Sequence, residues 1–308
     1  MRASYITLSL FLLAALSYAA YNENFARELV GPAGISYCKQ SDQLALTCGP
    51  HCEKMKANGY KTLFAELLPN GPVTAEAFSI FYKAPTNQVI VSFRGTNSNL
   101  QLMAEFLGGI GAVYDLQPGF PEFRVLSYFY NKYKNTIRST LFKDLNIVKA
   151  KYPTASYVIT GHSLGGALAT LASFDLSKSG MIPKSKMQLY NFGSPRVGNY
   201  EFVTALMKEG FPIYRIVNSR DPVPHVPPCL GETTGITGKC SKAPQGNSKL
   251  WRPYHIDQEV FYPDNTMRPG QYKICSDEDL KCSLGVSVVK YEVNTHLWYF
   301  GERIGCQI

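Results

Sequence analysis

The sequence Gly161-His162-Ser163-Leu164-Gly165-Gly166 decides the fold, because it places a serine between two nearby glycines. Residues 157–160 before it are largely apolar, as at the end of a buried strand, and residues 165–174 after it favour a helix. A serine on a sharp turn between a strand and a helix is a nucleophile elbow, in which the hydroxyl is exposed. Glycine at 161 and 165 would let the chain turn that tightly. The GxSxG pattern is weak evidence alone, so the flanking elements carry the prediction.

The segments around this turn alternate between strand and helix character. Residues 75–82 and 88–93, joined by Pro85-Thr86-Asn87, are predicted to form a hairpin, and residues 187–192 and 213–217 two later strands. This alternation predicts an α/β protein with a mostly parallel central sheet flanked by helices.

Between the hairpin and the elbow, apolar residues recur every four positions and predict one long amphipathic helix. These residues are Val125, Phe129, Tyr133, Ile137, Leu141 and Leu145. The final part of the chain is rich in Pro, Gly, Cys and aromatic residues, and we expect disulfide-linked loops there, not a second domain.

Composition narrows the class of protein. With 308 residues, 45% hydrophobic and 18% charged, the chain can bury a large core as a single domain. The net charge is +8, but Lys and Arg are scattered instead of clustered with aromatic residues, so nucleic-acid binding is not expected. The basic surface could be merely solvated or could attract an anionic lipid surface.

Residues 1–19 have the composition of a secretory signal peptide. Arg2 precedes an apolar run over residues 6–16, and small residues precede a predicted cleavage after Ala19. The run is shorter than the ~20 residues of a membrane-spanning helix, so no stable membrane anchor is expected. We predict a secreted, extracellular protein whose hydrolase domain covers residues 20–308.

All eight cysteines lie beyond this segment, and an even number in an oxidising compartment predicts disulfides. Spacing favours two short loops, Cys48 with Cys52 and Cys275 with Cys282. His51 lies between Cys48 and Cys52, which suggests half of a metal site, but no second ligand pair completes it in the sequence. We therefore expect no metal.

A serine nucleophile needs a histidine to accept its proton and a carboxylate to hold that histidine in the right tautomer. In α/β-hydrolases the acid follows the serine along the chain, in a loop after a later strand. Asp221 fits this position, since it follows the predicted strand 213–217 and Pro222 and Pro224 stiffen its loop. Without the elbow, Asp221 would be read as a turn-capping residue.

Five histidines are candidates for the base. His51 lies far upstream, and His162 adjoins Ser163 on a turn predicted to direct its ring elsewhere. His225 is only four residues past Asp221, so these two residues could hardly both be in line with the serine. His255 and His296 remain, and residue chemistry alone does not separate them.

Several motifs in order resemble the class 3 lipases, a fungal-lipase-like family of secreted α/β-hydrolases. They extend from about residue 73 to 301 and include the elbow, Phe93-Arg94-Gly95-Thr96, Asn191-Phe192-Gly193-Ser194-Pro195-Arg196, Asp221-Pro222-Val223-Pro224-His225, Tyr254-His255 and His296-Leu297-Trp298-Tyr299-Phe300. The resemblance implies an α/β-hydrolase fold with Ser163 as nucleophile, Asp221 as acid and His296 as base. It makes His225 and His255 structural.

The same resemblance implies the remaining features of the site. The oxyanion hole would be formed by the backbone N–H of Leu164 and by Thr96. Cys38 would pair with Cys306, which leaves Cys229 to pair with Cys240. The apolar residues 97–109 would form a lid, although they lack the tryptophan often found there and could instead complete the core.

These features predict a triacylglycerol lipase that needs no cofactor and meets its lipid substrate at a lipid–water interface. Feruloyl esterases, carboxylesterases and phospholipases share the scaffold and triad, so the motifs do not fix the ester class. A non-catalytic secreted lipid-binding protein is the alternative of another class, but such a protein would usually have lost a triad member. A serine peptidase is disfavoured because no protease-specific pocket can be recognised.

Overall fold

The fold is described here from a computed structural model. It covers residues 20–69, 75–96, 113–117, 120–228, 240, 242, 252–276 and 278–306. The predicted signal peptide 1–19, the predicted lid 97–109 and Cys229 lie outside these residues, so the predictions for them stay predictions.

Within the described residues, eight strands form one central sheet in the order β1-β2-β3-β6-β7-β9-β11-β12. The strands of the chain are β1 Tyr60–Pro69, β2 Ala75–Lys83, β3 Gln88–Phe93, β4 Val113–Gln117, β5 Phe120–Leu126, β6 Ser156–His162, β7 Met187–Phe192, β8 Gly198–Asn199, β9 Ile213–Asn218, β10 Pro253–Tyr254, β11 Glu259–Tyr262, β12 Lys273–Cys275, β13 Trp298–Tyr299 and β14 Glu302–Arg303. Strands β3, β6, β7, β9 and β11 are parallel. Strands β1, β2 and β12 pair antiparallel with their neighbours, so the sheet is mostly parallel, as predicted.

Helices cover both faces of this sheet. They are α1 Glu23–Ile35, α2 Gln40–Ala45, α3 Pro50–Ala57, α4 Ser127–Asn131, a π-helical segment Lys132–Ile137, α5 Arg138–Lys151, α6 Leu164–Lys178 and α7 Tyr200–Met207. The central strands are apolar at successive positions because both faces of the sheet are covered by a core. Val89 and Val91 pack into the core on one face, and Ile90 packs into the core on the other. The parallel strands lie between the two cores, and the elbow lies at the end of β6.

The structure corrects the predicted long helix at its start. Val125 lies in β5, where it pairs with Gly198, and the helical segment begins only at Ser127. Val125 and Phe129 are nonetheless buried in the same core. Residues spaced by four are therefore buried in the same core, although the chain changes from strand to helix between Val125 and Phe129.

The final part of the chain is not made of loops alone. Strand β11 extends the sheet parallel to β9, and β12 pairs with β11 at the sheet edge. Only four residues long, β11 is too short for a clear periodic pattern, so its role in the sheet was not predicted.

Three disulfides join described residues: Cys38 with Cys306, Cys48 with Cys52, and Cys275 with Cys282. The first joins the segment after α1 to the chain after β14, across 268 positions of sequence. Cys240 is disulfide-bonded, and its pairing with Cys229 stays a prediction. Among the described residues, no helix is both long and apolar enough to cross a membrane.

Asp144 on α5 is a buried carboxylate whose removal should stabilise the fold. Its side chain is fully buried, and neither oxygen is hydrogen-bonded to a described residue. Burial, with Glu66 nearby, raises its pKa, and the exposed ammonium of Lys143 at 3.5 Å compensates little. Because this folded-state pKa lies above the unfolded value, the protein loses stability as the pH rises and Asp144 ionises.

We therefore expect Asp144→Asn to raise the Tm at pH 7 by roughly 2 °C, as about 1 kcal/mol does in a domain of this size. The gain should disappear near pH 3, where the native carboxyl is protonated. Thermal unfolding followed by circular dichroism at both pH values measures it. Glu53→Gln, which removes a negative charge from an exposed position, is the control. An equal gain at both pH values, or none at pH 7, would contradict this account.

Candidate active site

The turn at Ser163 has the strained geometry expected of an elbow. Strand β6 ends at His162 and α6 begins at Leu164, and Ser163 between them has φ 61° and ψ −130°. This left-handed φ is uncommon for a residue with a side chain. A Cβ on Gly161 would collide with the carbonyl of Gly165, and a Cβ on Gly165 with the carbonyl of Phe93. Glycine is therefore required at both positions.

Ser163 and His296 line one cavity of about 350 Å³. The Oγ of Ser163 and the Nε2 of His296 are both buried, and neither has a hydrogen-bond partner among the described residues. The two atoms therefore do not bond to each other in this structure. Such bonds are often long without substrate and tighten in the reacting complex.

The other nitrogen of His296 is held by Asp221. Its Nδ1 lies 2.9 Å from Oδ1 and 2.8 Å from Oδ2 of this carboxylate. Because a carboxylate accepts hydrogen bonds, Nδ1 carries the proton and Nε2 is left able to accept one. The backbone N–H of Val223 donates to Oδ1 at 2.9 Å, and the Tyr299 hydroxyl donates to Oδ2 at 2.6 Å. Three donors thus stabilise a fully buried carboxylate.

Sequence reasoning missed Tyr299. Its phenol is buried beside Asp221, and burial followed by the negative charge of Asp221 raises its pKa. The hydroxyl therefore stays protonated and remains a donor to the carboxylate. The sequence feature that could have indicated this role is the position of Tyr299, three residues after His296 in the motif His296-Leu297-Trp298-Tyr299-Phe300.

The two residues predicted to form the oxyanion hole lie beside Ser163. Thr96 follows β3 and lines the same cavity, and its Oγ1 is buried without a hydrogen-bond partner among the described residues. Leu164 is the first residue of α6, so its backbone N–H has no acceptor within the helix. Both residues can therefore offer a donor next to Ser163.

His162 differs from expectation, since its ring lies at the site instead of pointing elsewhere. It lines the cavity and packs against His296 with 4.3 Å between ring centroids. Both ring nitrogens are engaged, Nδ1 at 3.0 Å from the Tyr37 hydroxyl and Nε2 at 2.7 Å from the carbonyl oxygen of His296. Burial lowers its pKa well below 6.5, so the ring is neutral. These bonds leave no nitrogen free to act as the base.

The other histidines are held away from Ser163. His225 stacks on Tyr291, with 4.6 Å between ring centroids, and burial and Arg196 lower its pKa to about 3. His255 is buried with its Nε2 against the carbonyl oxygen of Pro224. Neither belongs to the described residues that line the cavity.

His51 lies at the Cys48–Cys52 disulfide, where its Nε2 is 2.8 Å from the carbonyl oxygen of Arg303. In the described part of the chain, no cluster of three or more His, Cys, Asp or Glu side chains could hold a metal ion.

A buried ion pair fixes the loop that carries Asp221. The Arg196 guanidinium makes two 2.8 Å hydrogen bonds to the Glu278 carboxylate. It also donates to the carbonyl oxygens of His225 at 2.7 Å and Pro227 at 3.1 Å. Removing one partner of a buried pair leaves an uncompensated charge, so this network specifies the path of the loop. Sequence reasoning did not identify it.

Comparison with known proteins gives one family and several relatives. The family profile described as lipase (class 3) matches residues 90–231. A lipase of Caenorhabditis elegans is 30% identical over 227 residues, which are 70% of this chain and 63% of the relative. A secreted mono- and diacylglycerol lipase of Fusarium solani is 31% identical over 53% of this chain and 42% of its own length. The chain thus spans less than two thirds of these curated relatives.

The structural comparison covers more of the chain. A structure of the triacylglyceride lipase of Rhizomucor miehei superimposes with a TM-score of 0.74 and 25% sequence identity. The match covers 91% of this chain and 95% of that one, so the likeness extends over most of the chain.

Proposed function

Since this chain belongs to the class 3 lipase family and has its α/β-hydrolase fold, we propose that it is a secreted serine hydrolase of carboxylic esters of lipids, with triacylglycerols as substrates. One observation carries the proposal. The Nδ1 of His296 is bound to Asp221, while its Nε2 and the Oγ of Ser163 are unpaired among the described residues and line one cavity. This arrangement suits transfer of a proton from Ser163 to His296.

In the proposed reaction, His296 Nε2 accepts the proton of Ser163 as Oγ attacks the ester carbonyl carbon. The negative charge that develops on the carbonyl oxygen is stabilised by Leu164 N–H and Thr96. The intermediate collapses to an acyl-serine, and His296 gives its proton to the departing alcohol. Water, deprotonated by His296, then attacks the acyl-serine. The second intermediate collapses, the bond to Ser163 Oγ breaks, His296 returns the proton to that oxygen, and the fatty acid is released.

Asp221 supports both steps electrostatically. Its carboxylate holds His296 in the tautomer that can accept the serine proton and stabilises the imidazolium that forms. The donors Val223 N–H and Tyr299 OH fix the position of the carboxylate and satisfy its buried oxygens.

The choice of substrate rests on the relatives. The Rhizomucor miehei neighbour is described as a triacylglyceride lipase and the Fusarium solani relative as a secreted mono- and diacylglycerol lipase. We extend glyceride hydrolysis and secretion from them to this chain. The apolar segment 97–109, if it is a lid, would favour a substrate at a lipid–water interface.

A substrate panel tests the proposal. Fatty-acid release by the purified protein should be measured on emulsified triolein, dissolved tributyrin and phosphatidylcholine vesicles, with Ser163→Ala as the control. We expect release from triolein by the wild-type protein and none by the variant. Release from tributyrin alone would make the protein a carboxylesterase, and release from phosphatidylcholine alone a phospholipase. No release from any of the three would support the lipid-binding alternative.

A further inference from the structure

The Tyr37 hydroxyl lies where three segments of the site meet. Tyr37 follows α1, and its hydroxyl oxygen lies close against Gly95, directly before Thr96. The same oxygen lies 3.0 Å from Nδ1 of His162, directly before Ser163. A Cβ on Gly95 would collide with this oxygen, so the close approach requires glycine. Tyr37 thus contacts both the oxyanion loop and the elbow.

The neighbouring disulfide fixes Tyr37 at this place. Cys38 is bonded to Cys306, and both Tyr37 and Cys306 line the cavity that contains Ser163. The segment after α1 is therefore covalently attached to the cavity wall, and the hydroxyl has little freedom to leave His162.

The hydrogen bonds of Tyr37 and His162 run in one direction. The carbonyl oxygen of His296 can only accept, so the Nε2 of His162, 2.7 Å away, carries the proton and donates it. In this neutral tautomer Nδ1 is an acceptor, and the Tyr37 hydroxyl must donate to it. Tyr37 OH and His162 Nε2–H thus form a continuous chain of hydrogen bonds that ends on the backbone of His296.

The last member of this chain also contacts the imidazole of His296. The two rings pack with 4.3 Å between centroids and 31° between planes. Asp221 restrains His296 at Nδ1, while His162 restrains its carbonyl group and one face of its ring. A neutral His162 adds no charge to oppose an imidazolium at His296, and its deep burial keeps it neutral.

We propose that Tyr37 and His162 are positioning residues: the Tyr37 hydroxyl fixes the tautomer and ring of His162, and His162 in turn holds His296 in line with Ser163. The same hydroxyl packs closely against Gly95 and so places the oxyanion loop beside this arrangement. This inference rests on the proposed function, because it assigns the two residues to the geometry of that reaction.

The first test is Tyr37→Phe, which removes the hydroxyl and keeps the ring. We expect kcat on tributyrin, per titrated active site, to fall by roughly 10 to 10²-fold, since a misplacement of about 1 Å can cost 10²-fold. KM should change less than about twofold, because the variant misplaces the base without removing a binding contact. Tyr133→Phe is the matched control, since its hydroxyl donates to Asp175 at 2.7 Å and it is not among the described cavity residues.

Two amide variants of His162 provide a second test. In His162→Gln the side-chain nitrogen reaches the place of the imidazole Nε2 and can still donate to the His296 carbonyl oxygen. In His162→Asn the shorter amide cannot reach it. We expect the Gln variant to keep kcat within about tenfold of wild type and the Asn variant to lose about 10²-fold. The Tm of each variant, measured by thermal unfolding, shows whether the difference in kcat follows a difference in stability instead.

The possible results separate this inference from the proposed function. A Tyr37→Phe kcat equal to that of wild type, a similar loss in Tyr133→Phe, or equal activity of the two His162 variants would overturn the positioning roles alone. A wild-type protein that hydrolyses no ester would overturn both proposals.

Discussion

Ser163→Ala is expected to lower kcat on tributyrin by a factor of about 10⁴ to 10⁶ and to leave the protein folded. The reason is chemical, since the alanine methyl group cannot attack a carbonyl carbon and no acyl-enzyme can form. The hydroxyl makes no hydrogen bond among the described residues, so its loss removes no structural contact. Titrimetric measurement of acid release, with circular dichroism as the check on folding, gives the result.

Ser173→Ala is the matched control for this experiment. Ser173 lies on the same helix, α6, and its hydroxyl donates to the Ala169 carbonyl oxygen at 2.8 Å. We expect it to retain wild-type turnover. Activity of Ser163→Ala within tenfold of wild type would show that another residue supplies the nucleophile.

Asp221→Asn is expected to lower kcat by about 10⁴-fold, the loss seen when a triad carboxylate becomes an amide. An asparagine has one acceptor oxygen where the carboxylate has two, and the Val223 N–H, the Tyr299 hydroxyl and His296 all donate to that carboxylate. The amide NH₂ therefore opposes a donor and favours the wrong His296 tautomer. It also carries no charge to stabilise the imidazolium.

Steady-state kinetics on tributyrin at pH 8 measure this effect. Asp264→Asn is the control, because its carboxylate lies at an exposed turn and pairs with Arg268. Should Asp221→Asn retain more than about a tenth of wild-type activity, the role of Asp221 would be wrong.

The elbow could be predicted from sequence because its determinants are local. Two glycines, an apolar strand and a helix of small residues lie within about twenty positions, and each is required by the tight turn at Ser163. Asp221 also has a local signature, since it follows a recognisable strand. The histidine base has no local signature. Residue chemistry alone does not separate His255 from His296, and the motif around His296 is what favours it.

The remaining features depend on contacts between distant positions. Tyr37 meets His162 across 125 residues, and Tyr299 meets Asp221 across 78. Arg196 meets Glu278 across 82 residues. No periodicity or spacing within one element encodes such pairs, because they depend on how distant segments of the chain pack together. The direction of the His162 ring was mispredicted for the same reason.

The central claim is that His296 and Asp221 activate Ser163 as a nucleophile, and covalent labelling tests it most directly. The wild-type protein, Ser163→Ala and Asp221→Asn should be incubated with diethyl p-nitrophenyl phosphate and analysed by intact mass and peptide mapping. We predict a single diethylphosphoryl group on Ser163 in the wild-type protein, slower labelling of Asp221→Asn and no labelling of Ser163→Ala. An unlabelled wild-type protein, or a label on a different serine, would contradict the account.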